Sequence, residues 1–101
     1  MVFMDSFKIV NPPKSRYIKS CRVILKQGES VGEHITEKRE EIIVVIKGKA
    51  ELILNGKTVI LNSGDVQYIG EGVIHNIINN SENILEYVYV VCLFDKEFEK
   101  Y

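Results

Sequence analysis

The chain has 101 residues, 46% of them hydrophobic and 27% charged, with a formal net charge of −1. This size fits a single domain and the composition an ordinary globular protein, while the near-neutral balance excludes an electrostatic footprint for nucleic acid or an anionic membrane. The longest apolar run, Ile42 to Ile46, is far too short to span a bilayer, and no signal-peptide pattern is visible, so a cytoplasmic location is expected.

In chain order, residues 1–15 read as an N-terminal arm ending in the cluster Asn11-Pro12-Pro13-Lys14-Ser15. Residues 16–94 read as strands and turns. Tyr17 to Lys26 is β-branched and aromatic enough for a strand, with Tyr17, Cys21, Val23 and Leu25 on one face. The run Glu37-Lys38-Arg39-Glu40-Glu41, taken alone, reads as a solvated loop. Strands are predicted over Glu41 to Lys47, Glu51 to Leu54 and Lys57 to Leu61. Asn55-Gly56 between the last two predicts a type I′ hairpin turn.

After the turn Asn62-Ser63-Gly64-Asp65, Val66 to Ile69 is a further strand, broken by Gly70-Glu71-Gly72. Val73 to Ile78 and Ile84 to Phe94 are the last two, separated by the polar turn Asn79 to Asn83. Residues 95–101 form a charged tail, either a short helix or solvated. Cys21 and Cys92 make no Cys-x-x-Cys unit and read as buried strand residues. Many short strands and no amphipathic helix predict an all-β sandwich or barrel. A double-sheet jelly roll closes such a set.

The chain's two histidines each sit in a glycine-punctuated segment. Gly28, His34, Glu41 and Gly48 mark the first; Gly64, Gly70, Gly72, His75 and Asn79 mark the second. These segments resemble the paired motifs of the cupin superfamily and together cover about half the chain. The first family pattern is a glycine, His-x-His, a glutamate and a glycine; here Thr36 stands where its second histidine belongs. The second pattern carries Pro-x-Gly before its histidine, and Gly70 replaces that proline.

The resemblance implies a double-stranded β-helix, or jelly-roll barrel, in which His34, Glu41 and His75 converge. Two imidazoles and a carboxylate would bind a divalent transition metal: Fe, Mn, Zn, Ni or Co. The missing second histidine implies a weaker or more open site. Thr36, Tyr68, Asn79 and Tyr89 are the candidates for contact with a small-molecule ligand or substrate, although Asn79 reads first as a turn residue. Cupins include dioxygenases, isomerases and decarboxylases, and fold does not choose among them. The alternative is a non-catalytic binding or sensing module without tight metal. Without metal ligation, Glu41 would be placed as a general base. Small single-domain cupins are commonly homodimers, which is the expectation for this chain.

Overall fold

The computed structural model describes residues 5–94. The predicted tail, residues 95–101, lies outside the described residues. Nine strands are present, and no helix occurs among the described residues. They are β1 (Asp5–Val10), β2 (Ile18–Leu25), β3 (His34–Ile35), β4 (Arg39–Lys47), β5 (Lys49–Leu54), β6 (Lys57–Asn62), β7 (Val66–Ile69), β8 (Ile74–Ile78) and β9 (Leu85–Leu93).

They form two antiparallel sheets, a five-stranded one in the order β1-β2-β9-β4-β7 and a four-stranded one in the order β3-β8-β5-β6. The chain passes back and forth between the sheets after β2, which gives the expected double-stranded β-helix. Alternation fixes which side chains enter the barrel, because successive residues of a strand face opposite sides. Cys21, Val23 and Leu25 of β2, Ile43 and Val45 of β4, and Leu85 and Tyr87 of β9 point inward and are buried. Ala50, Leu52, Leu61 and Ile77 meet them from the other sheet.

The Asn55-Gly56 turn has φ of 47° and 83°, the two positive values that a type I′ hairpin requires. Gly48 lies between β4 and β5 at φ 90°, where a Cβ would collide with the Ile84 carbonyl. That close approach, together with the left-handed backbone, requires glycine.

The structure differs from the sequence reading in two places. Asp5–Val10, within the predicted arm, is a strand paired with β2; five of its six residues are exposed, so no burial alternation marks it. Cys92 is exposed rather than buried, whereas Cys21 is in the core. Cys92 has the outward parity of β9, one residue past the inward-facing Val91, and the two cysteines are free.

Candidate metal centre

His34, Glu41 and His75 come together at one end of the barrel, from three strands and both sheets. His34 on β3 and His75 on β8 are register partners, so their rings stand side by side on the inner face. The ring centroids are 4.1 Å apart with the planes at 63°. Glu41 reaches them from β4, its Oε1 3.8 Å from His75 Nε2. One ligand atom from each of the three residues lies within 4.8 Å of the others. Donors held about 2.0–2.2 Å from one ion would sit nearer to each other than this, so binding would draw the three side chains together.

The polar bonding of the imidazoles defines which nitrogen faces the cavity. His75 Nδ1 is 3.0 Å from the Val73 carbonyl and His34 Nδ1 is 3.1 Å from that of Gly32. A carbonyl only accepts, so each Nδ1 is a protonated nitrogen, and in a neutral ring the lone pair is then on Nε2. His75 Nε2 is buried and has no hydrogen-bond partner. Leaving such an atom unsatisfied costs about 1–3 kcal/mol. An outer nitrogen tied to a carbonyl with a bare inner one is the arrangement of metal-binding histidines. The donor set therefore fits a divalent ion.

Burial sets the charge states of the metal-free site. Glu41 is pushed up to about 7 by desolvation, with nearby Arg39 pulling the other way. His75 is pushed down by burial, against the Val73 carbonyl bond, and its neutral form is favoured. Neutral imidazole is the form a metal needs.

The other residues singled out in the sequence occupy different positions. Tyr89 lines the cavity beside the triad. Burial, and then its hydrogen bond with the Cys21 thiol, raise the pKa of its hydroxyl and keep it protonated. Thr36 is buried but does not line the cavity; its hydroxyl donates to the Val73 carbonyl at 3.2 Å and lies 3.3 Å from His75 Nδ1. It thus stands behind the ring. Asn79 lies deeper, fully buried, donating to the carbonyls of Leu25 and Asn83 and accepting from Ser81. Tyr68 is 57% exposed on the outer face of β7, its hydroxyl donating to Glu40.

The cavity in front of the triad has a volume of about 190 Å³, smaller than the roughly 300–1,000 Å³ of drug-sized ligand sites. Val31, Ile77, Tyr87 and Val91 form its apolar wall. Lys19 and Arg39 also line it, and sequence reasoning missed both. Parity could have found them: Lys19 shares the face of Cys21 and Val23, and Arg39 that of Glu41 and Ile43.

Residues 21–91 match the cupin domain family. The chain is 36% identical over 73 residues to an oxalate-binding protein of Thermotoga maritima. The match covers 72% of this chain but only 60% of that protein's length. Among solved structures, one described as a predicted oxalate decarboxylase of Thermotoga maritima superposes with a TM-score of 0.81 at 30% identity, covering 89% of this chain and 80% of that one. A cupin family protein of Methanocaldococcus jannaschii, described as having a double-stranded β-helix fold, gives 0.82 at 22% identity, covering 98% and 88%.

Proposed function

The chain belongs to the cupin family, and from that premise we propose that it holds a divalent transition metal on His34, Glu41 and His75 and acts there on a small polar molecule. The observation that carries this reading is the buried, unpartnered Nε2 of His75, facing Glu41 across 3.8 Å. The ligand set suits Fe, Mn, Zn, Ni or Co alike. When bound, the ion would supply Lewis-acid polarisation or activation of O₂.

The chain's own residues do the rest. Val73 and Gly32 hold the imidazole tautomers through their carbonyls. Thr36 braces His75 from behind and so acts on a ligand through that ring. The apolar wall faces the ligand, and Tyr89 lines the cavity beside the triad with its hydroxyl engaged by the Cys21 thiol. Asn79 holds the turn that follows β8 and, like Tyr68, does not line the cavity, so both are the expected ligand contacts least favoured by their positions. Of the dioxygenase-, isomerase- and decarboxylase-type chemistries, the names of the Thermotoga maritima proteins support the last, with oxalate as the first compound to test.

A second reading, a cupin that binds a small molecule without turning it over, is favoured by Thr36. It replaces an imidazole ligand and its hydroxyl is engaged behind His75. Release of CO₂ from oxalate by metal-loaded protein supports the enzyme; binding without release supports the second reading.

Among the described residues no helix is long and apolar enough to cross a membrane, and we retain the cytoplasm as the proposed compartment. We also retain the homodimer. The outer face of the five-stranded sheet supports it, with Val66, Val44 and Val88 in one register row and Tyr68, Ile42 and Val90 in the next. A contiguous apolar face of this kind marks an interaction surface.

The metal reading is tested by elemental mass spectrometry of the purified protein and of His34→Ala and His75→Ala. Near-stoichiometric metal that is lost in both variants is the expected result. A wild-type protein that takes up none of Fe(II), Mn(II), Ni(II), Co(II) or Zn(II) would sink it.

A further inference from the structure

We propose that Lys19 and Arg39 are the specificity-determining residues of the barrel site and that they select a small dianion, with one anionic group directed to the triad and the second to this cationic pair. The inference rests on the reading of the cavity as a small-molecule site and adds the charge class of that molecule.

The register places the pair. On the inner face of the five-stranded sheet, Lys19 of β2 pairs with Val91 of β9, and Val91 pairs with Glu41 of β4. Lys19 and Glu41 are thus two strands apart, roughly 10 Å at ordinary strand spacing. Arg39 lies two residues from Glu41 on the same face of β4. Lys19, Arg39, Glu41 and the two histidines all line one cavity.

The charge inventory then points one way. Among the described residues Glu41 is the only acidic one lining the cavity, against the two basic residues Lys19 and Arg39. Glu41 belongs to the triad, so it does not neutralise Lys19 and Arg39 once a metal is bound. Those two charges and the ion favour an anion. A monoanion satisfies the ion alone. A second anionic group left against Val91 and Tyr87 would be a buried, unpaired charge, which is strongly disfavoured. Lys19 and Arg39 remove that penalty only for a ligand that carries the second charge. The small cavity restricts that ligand to a few heavy atoms.

Arg39 has a second position in the argument. It also lines a groove outside the barrel with Arg16, Lys38 and the acidic Glu37. Its Nε donates to the Glu37 carbonyl at 3.2 Å, which anchors the guanidinium between groove and cavity.

The test is equilibrium dialysis of labelled oxalate, malonate and acetate against wild type, Lys19→Met, Arg39→Met and Arg39→Lys, with metal content measured in the same samples. Circular dichroism checks that each variant is folded. The expected result is wild-type binding of oxalate at least 10-fold tighter than acetate. Both Met variants should lose at least 10-fold for oxalate, with less than 3-fold change for acetate and unchanged metal, and Arg39→Lys should recover most of the loss. Folded, metal-loaded Met variants that bind oxalate as wild type does overturn the proposal and leave the metal reading intact. So does a wild type with no preference for the dianions. If wild type takes up no metal yet binds oxalate in a Lys19- and Arg39-dependent way, the metal reading fails, the selection by Lys19 and Arg39 stands, and the placement of the other anionic group on the triad is overturned. Binding of neither metal nor dianion overturns both.

Discussion

His75 Nε2 faces Glu41 Oε1 at 3.8 Å inside the barrel and accepts no hydrogen bond. Val73 fixes the other ring nitrogen as the proton carrier, so the inner one presents a lone pair. Beside it stands His34, held the same way by Gly32.

Removing either end of this relationship should remove the metal while leaving the fold. Glu41→Gln keeps the shape but not the charge, and metal content should fall by at least 10-fold. Its far-ultraviolet dichroism should match wild type, because the strand ladder around β4 does not use the side chain.

Thr36 braces His75 without lining the cavity, and Thr36→Val tests that role. The valine keeps the volume and removes the hydroxyl beside Nδ1. Loss of an outer partner of a ligating histidine costs roughly 10–100-fold in metal affinity; because Val73 still holds Nδ1, the lower end is expected. Competition titration against a chelator reads it. Unchanged affinity would show that Val73 alone orients the ring.

The metal-free protein should lose stability as pH rises toward 7. Folded Glu41 holds its proton up to about pH 7 rather than 4.5, so its contribution is full below 4.5 and is lost as pH rises through about 7. His75 acts oppositely: its depressed value gives a contribution present above 6.5 and lost as pH falls through that depressed value. Above 6.5 only the Glu41 part still changes. The whole Glu41 effect is at most about 3 kcal/mol. Urea midpoints of chelator-treated protein between pH 5 and 8 should therefore fall at the alkaline end. Glu41→Gln should flatten that fall.

Gly48→Ala should destabilise the protein by about 2 kcal/mol or more, since the added methyl meets the Ile84 carbonyl at a positive φ. Thermal denaturation reads it. A shift of less than about 4 °C, which corresponds to roughly 1 kcal/mol in a domain of this size, would contradict the constraint.

Introducing charge into the outer face tests the dimer. Ile42→Lys should convert a dimer to monomer in sedimentation velocity without loss of metal, because Ile42 points away from the cavity. A wild type that sediments as a monomer would remove the homodimer from the account.

Most of the barrel was legible because its strands alternate cleanly. Cys21, Val23 and Leu25 share an inward parity, and Asn55-Gly56 has the turn chemistry its hairpin needs. The candidate triad was legible only through motif spacing: Glu41 ends a charged run that by itself reads as solvated, yet it is 8% exposed. The place of Thr36 was not legible, because motif spacing does not say where the strand that carries His34 stops. The strand there ends at Ile35, and Thr36 turns behind His75. Lys19 and Arg39 escaped notice because long basic side chains are read as surface groups, although their parity places them on the inner face. β1 escaped because an edge strand exposed along its length has no hydrophobic alternation to read.

The most direct test of the central claim is X-ray absorption at the edge of a metal bound to the purified protein. The account predicts a nitrogen and oxygen first shell with two imidazoles per ion, and loss of the ion itself in His34→Ala. A sulfur ligand, an all-oxygen shell, or an ion retained unchanged by His34→Ala would contradict it.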